Sequence, residues 1–329
     1  MAKQLPKEVV NLIDYYKKTQ ANLVDIIAKN LNGEDAGYRK KMLDSVNIEL
    51  EKLNNYCTDW ANDVIPKSYQ TGIDNTYAWY RRQDLDITKA VVNQKVVDTM
   101  VENVYGQLTD ANNFVGRRIR DEVRQAGIEA VAQKIGTGST VKQTKELLLE
   151  KFSKKGIINI TDKAGRTINL ESYASMVART TTREATNKGS IYATQEAGSD
   201  LVKIPSHFSS CPICIPYEGR VYSISGKDKR YPPLSEPFSD GYATIHPNCT
   251  HSTVPYIEKF DDDAEQMRTD SNKPFTVPPE KQKSLDAYNK SQAAKTSRRN
   301  DYNKWEKAKI ENPSDTPKTF TKFRKTLNA

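Results

Sequence analysis

The chain has 329 residues, an apolar fraction of 36%, a mean hydropathy of -0.74 and a formal net charge of +8. A composition this polar supports only a modest core over about two domains, so elongated helices or an assembly partner that completes the burial are expected. No apolar run approaches the roughly 18 residues of a membrane helix, and the opening Met1-Ala2-Lys3-Gln4-Leu5-Pro6-Lys7-Glu8 is too charged for a secretion signal. The expectation is synthesis in a reducing cytoplasm, with no disulfide framework and no membrane partner.

From Leu5 to Leu31 the apolar residues Val9, Leu12, Ile13, Tyr16, Leu23, Ile26 and Ile27 recur at three- and four-residue spacing, which predicts an amphipathic helix. A second stripe, Met42, Val46, Leu50, Leu53, Cys57, Trp60 and Val64, predicts a helix that ends or kinks at Pro66. Cys57 lies on that stripe and is assigned to core packing. Tyr69 to Tyr80 reads as a helical or irregular connection. A third helix is expected over about Ile87 to Val104, and Val115, Ile119 and Val123 mark a fourth. Its other side carries Arg117, Arg118, Arg120 and Arg124, read as a solvated face because Asp121 and Glu122 interrupt it.

Gly136-Thr137-Gly138-Ser139 lacks the G-x4-G-K-[ST] frame of a phosphate loop. It reads instead as a loop before a capping box, Thr140 with Gln143, opening a helix that stops at Gly156. The period then changes. Ile157 to Ile160 and Arg166 to Leu170 flank Asp162-Lys163-Ala164-Gly165, the pattern of a β-hairpin. A helix from about Leu170 to Ala197, ended by Gly198, a strand at Leu201 to Ile204 and a strand at Gly219 to Ile224 follow.

The stretch 207–251 holds three of the four cysteines and all three histidines. Cys211-Pro212-Ile213-Cys214 is a C-x2-C turn, and His246-Pro247-Asn248-Cys249-Thr250-His251 a second, less regular run of donors. Such turns can aim thiolates at one ion about 2.3 Å from each sulfur, and a mixture of sulfur and imidazole suits Zn2+ better than oxygen-seeking cations. Five residues (Cys211, Cys214, His246, Cys249 and His251) compete for four places, with His246 or His251 as the fourth ligand. A filled tetrahedron leaves no open position, so the expected ion is structural. Reduced cysteines packed as small apolar groups, or a disulfide across C-x2-C, are the plainer alternatives.

The fold class expected is α+β: a mainly helical region over 1–155, a small α+β unit with the Cys/His site over 156–258, and a basic helical and extended tail over 259–329. The tail concentrates the charge. Residues 271–329 carry 14 Lys or Arg against 6 Asp or Glu, whereas the first 270 residues carry 36 of each. A long basic helix is expected from Pro279 to Ile310, with an extended end from Asn312. Lys295, Arg298, Arg299, Lys304, Lys307 and Lys309, interleaved with Trp305, are the candidates for nucleic-acid contact, cations for phosphate and the ring for stacking. Docking of the same helix on another subunit through its few aromatic residues is an equal alternative.

The order of motifs Asp162-Lys163-Ala164-Gly165-Arg166, Met176-Val177-Ala178-Arg179-Thr180, Cys211-Pro212-Ile213-Cys214, Glu218-Gly219-Arg220-Val221-Tyr222 and His246-Pro247-Asn248-Cys249 resembles the phage minor capsid protein 2 family, itself similar to Mu-type phage head morphogenesis proteins. His251 departs from the final cysteine usual in those proteins and puts one ligand type in place of another. The resemblance implies a structural virion protein, made in the host cytoplasm, sitting in several copies inside the head near the portal vertex. Its implied partners are portal and capsid proteins, with double-stranded DNA contacted without sequence preference when packaged or ejected. It implies no catalytic residues.

The rivals are a zinc-dependent enzyme acting on nucleic acid and an injected DNA-binding protein. A deaminase requires H-x-E, but Ser209, Asn248 and Thr253 stand two residues after the three histidines. No H-E-x2-H is present. A nuclease using His246 as general base, or a thiol nucleophile beside it, is compatible with the residues alone.

Overall fold

The computed structural model describes residues 6–30, 36–137, 159–161, 167–206, 211, 213–238, 241, 245–246, 249, 251–277, 279–311, 315–317 and 319–327. They are mostly helical with a small antiparallel sheet, consistent with α+β. Two compact units are present, Met1–Pro205 with Arg220–Asn272, and Ser206–Gly219 with Lys273–Ala329. The capping box at Thr140, the helix up to Gly156, the hairpin turn at 162–166 and His207 lie outside the described residues.

In the first unit, α1 (Lys7–Asn30), α2 (Ala36–Arg82), α3 (Gln94–Thr137) and α4 (Leu170–Glu196) share one core. The stripe anticipated for α1 is buried at Val9, Leu12, Tyr16, Leu23 and Ile27. Cys57 is fully buried in the core, where the Tyr16 hydroxyl lies 3.3 Å from its sulfur and also donates to Asn112 Oδ1 at 3.1 Å.

Two helix boundaries differ from the sequence reading. α2 runs through Pro66 and continues to Arg82. Proline inside a helix costs about 3 kcal/mol. Beyond it, however, Tyr69, Ile73 and Tyr80 carry the same stripe into the core, each fully or nearly fully buried. At about 1.5–3 kcal/mol for burying a large apolar side chain, those three outweigh the lost hydrogen bond. The third and fourth helices are likewise one helix, α3, because Val97, Met100, Val104, Leu108, Ala111, Val115 and Ile119 form an unbroken buried stripe. It starts at Gln94 rather than Ile87 because Asn93 accepts the Val96 amide on its Oδ1 at 3.3 Å, which caps the first turn. Arg117, Arg120 and Arg124 are exposed on its outer side.

The hairpin has the expected form: β1 (Asn159–Thr161) pairs with β2 (Thr167–Asn169) with Ile160 opposite Ile168. α4 ends as anticipated, with Gly198 in the left-handed region at φ +77. A three-stranded sheet follows, ordered β4-β3-β5 from β3 (Leu201–Lys203), β4 (Val221–Ser223) and β5 (Val254–Pro255), and every pairing is antiparallel. Leu201, Val221, Tyr231 and Tyr256 make its own small core. The short helix α5 (Ala264–Ser271) is tied to it by Ser271, whose Oγ accepts the Val221 amide at 2.9 Å.

The second unit contains the C-x2-C turn, α6 (Pro279–Glu311) and α7 (Phe320–Leu327). The long basic helix lies where expected. The end of the chain is helical rather than extended, since α7 packs on α6: Trp305 donates its indole N–H to Pro317 O at 2.9 Å and stacks obliquely on Phe320, and Arg324 pairs with Asp301 at 3.1 Å. Among the described residues no helix is long and apolar enough to cross a membrane.

Candidate metal centre

The first donor pair belongs to the second unit. Cys211 O accepts the amides of Cys214 at 3.2 Å and Ile215 at 3.1 Å, so the chain reverses within one turn and both thiols face the same side. Their sulfurs lie within 4.8 Å of each other. A one-turn 3-10 helix, Ile215–Tyr217, follows directly, and Gly219 at φ +77 supplies the left-handed residue that ends it. Cys214 is buried and Cys211 half-buried. Two interactions anchor this turn to the start of the long basic helix: the Glu218 carboxylate, 1% exposed, pairs with Lys281 at 2.9 Å, and Tyr217 packs against Phe275.

The second group of donors belongs to the first unit. The Cys249 amide donates to His246 O at 3.0 Å, closing a second short turn, and Cys249 Sγ lies 3.3 Å from His251 Nδ1. Cys249 and His251 are buried, and His246 is half-buried. One face of α4 stands beside Cys249 and His251. Burial pushes the Arg183 guanidinium below its usual value, and the neighbouring Cys249 sulfur acts in the opposite sense. One turn further, Asn187 donates to His251 O at 3.3 Å, and Ser190 donates to Thr253 O at 3.2 Å.

No disulfide joins any of the four cysteines, so the C-x2-C pair is not bridged here. Sulfur and imidazole donors of this kind can hold a metal ion. They match the ligand preferences of zinc, and each turn presents two donors at a separation compatible with ligands of one ion about 2.0–2.3 Å away. Arg183, Asn187 and Ser190 were not singled out from the sequence. The available signal was polar residues 187, 190 and 194 at helical spacing on α4, whose other buried residues are mostly small or apolar.

The candidate nucleic-acid residues Lys295, Arg298, Arg299, Lys304, Trp305, Lys307 and Lys309 all lie on α6. Arg298 and Lys304 are exposed, whereas Trp305 is half-buried against Pro317 and Phe320. The side chains of Lys295, Arg299, Lys307 and Lys309 are outside the described residues.

Comparison with known proteins finds a match to the model of one family, described as phage minor capsid protein 2, over residues 1–300. Neither the curated proteins nor the solved structures yield a match. The chain belongs to the phage minor capsid protein 2 family.

Proposed function

We propose that this phage minor capsid protein serves at the portal vertex of the head as an assembly component, its two donor turns closed on a structural zinc ion, with a basic tail that contacts packaged or ejected double-stranded DNA. The observation that carries the reading is the family match across residues 1–300, which takes in both the helical core and the donor turns. A chain with so polar a composition and four long helices around one core is suited to attachment. Attachment requires surfaces and a rigid fold, not an active site, and portal and capsid proteins are the partners the reading names.

The ligands proposed are Cys211, Cys214 and Cys249 with His246 or His251. When bound, zinc supplies cross-linking energy: it joins turns far apart in sequence, and the binding free energy becomes folding free energy. The chain's own contribution is to hold the thiols and imidazoles in place. Electrostatics support the tail reading, since the last 59 residues carry the whole excess of positive charge and α6 has no apolar face.

Imaging of intact virions tests the location: density for this chain at one five-fold vertex is expected, and density spread evenly over the shell would overturn it. Elemental analysis of the purified protein tests the ion: zinc near one per chain is expected, and protein free of zinc would overturn that part of the reading. Hydrolysis of DNA with added divalent metal, abolished in a Cys211→Ser variant that still assembles, would establish the enzyme instead.

A further inference from the structure

The helix α4 reaches the second group of donors through two side chains that have no part in the hydrophobic core. Asn187 donates its amide to the backbone carbonyl of His251 at 3.3 Å, and Ser190, nearly one turn on, donates its hydroxyl to the carbonyl of Thr253 at 3.2 Å. Ser190 is held in turn from α2, where the Thr76 hydroxyl lies 2.9 Å from its own. All five residues are closed off from solvent, Asn187 at 1% and His251 at 2% exposure. His251 and Thr253, just before β5, are therefore hung on the helical core by their carbonyls. From Val254 onward, pairing with β3 takes over.

A second observation separates this from ordinary packing. Asn187 Oδ1 is buried and finds no hydrogen-bond partner among the described residues. An unsatisfied buried acceptor is costly, and an apolar residue of the same size would avoid it. Asparagine thus leaves one buried oxygen unmet at this position while its amide fixes the carbonyl of a ligand-bearing residue. Groups that orient metal ligands from behind commonly change metal affinity when removed.

We propose that Asn187 and Ser190 are positioning residues for Cys249 and His251, setting the affinity of the metal centre from the helical core. The inference rests on the zinc reading given above. The test uses the full chain in three forms, wild type, Asn187→Leu and Ser190→Ala, each titrated with Zn2+ against a chromophoric chelator. Urea unfolding of the metal-free proteins is measured alongside. Asn187→Leu is expected to bind zinc about tenfold more weakly, over and above any stability lost from the metal-free protein when the His251 carbonyl loses its donor, and the visible bands of the Co2+-loaded variant should shift from those of wild type. A merely structural role moves the unfolding curve and leaves zinc affinity and the cobalt spectrum alone; that result overturns the inference. Should Asn187→Leu not fold, the milder Ser190→Ala decides, with weaker zinc binding in support and wild-type binding against. A wild-type chain that takes up no zinc overturns the metal reading itself, and this inference with it.

Discussion

In the helical core α2 and α4 cross at close range, and the approach depends on two glycines, each facing backbone of the opposite helix. A Cβ added at Gly189 would stand 2.0 Å from the Tyr69 carbonyl oxygen and 2.9 Å from its carbon; one added at Gly72 would stand 2.0 Å from Thr186 O and 2.7 Å from the Ser190 amide nitrogen. A carbon atom normally stops about 3.3 Å from a carbonyl oxygen, so Gly189→Ala forces the two helices apart by about 1.3 Å at the crossing. Neither obstacle is a flexible side chain that could swing away. Separation on that scale forfeits much of the dispersion energy along the seam, and overpacking of this kind costs about 3 kcal/mol, of which about 1 is returned by alanine's better helix propensity. The expected net loss is about 2 kcal/mol or more, a fall in Tm of about 4–8 °C for a unit of this size. Thermal unfolding followed by circular dichroism measures it. Gly106→Ala is the control, because nothing lies within 4 Å of a Cβ there, and the substitution should raise stability by about 0.5–1 kcal/mol. A Gly189→Ala protein as stable as wild type, beside a control that behaves as stated, would refute the close crossing. The double variant Gly72→Ala with Gly189→Ala should lose less than the sum of the two, since one separation relieves both clashes.

Burial pushes the Cys57 thiol up from 9.0 to about 11. The folded value lies above the unfolded one, so the stability held by the neutral thiol is complete below pH 9 and disappears as pH rises towards 11, about 2–3 kcal/mol in all. The stability difference between wild type and Cys57→Ala should accordingly narrow over that range, and a difference independent of pH would contradict it. On the acid side, the forked Arg268 guanidinium, then the Tyr231 hydroxyl and Arg230, hold the Glu258 carboxyl below its ordinary 4.5. The stability it contributes is present above that value and vanishes as pH falls through the lower folded one. Urea midpoints of Glu258→Gln should decline less steeply on acidification than those of wild type; equal slopes would remove Glu258 from the account. Ending the chain after Thr276 deletes α6 and α7, and with them 13 of the Lys and Arg residues. If the tail binds DNA through phosphates, the slope of log affinity against log salt should flatten by about 0.9 for each phosphate that the shortened chain leaves unneutralised, and an unchanged slope would exclude the tail.

Periodicity read along the chain located α1, α4, β1 and β2 to within a few residues and placed Cys57 in the core, and the helix-forming composition of 279–310 located α6. Each of those depends on local information: apolar spacing, a turn sequence, or a glycine such as Gly198 that can take positive φ. The donor residues were legible for the same reason, since a C-x2-C turn is made by its own backbone hydrogen bonds. Tertiary structure alone decided that α2 passes Pro66, that α3 is one helix, and that the last residues coil back as α7 on Trp305. In each case burial against a distant segment exceeds a local preference of at most about 3 kcal/mol. The roles of Gly72, Gly189, Asn187 and Ser190 were hidden for a related reason. A glycine against a foreign carbonyl, or an amide on the carbonyl of His251, is defined by its partner, and that partner lies 64 residues away for Asn187.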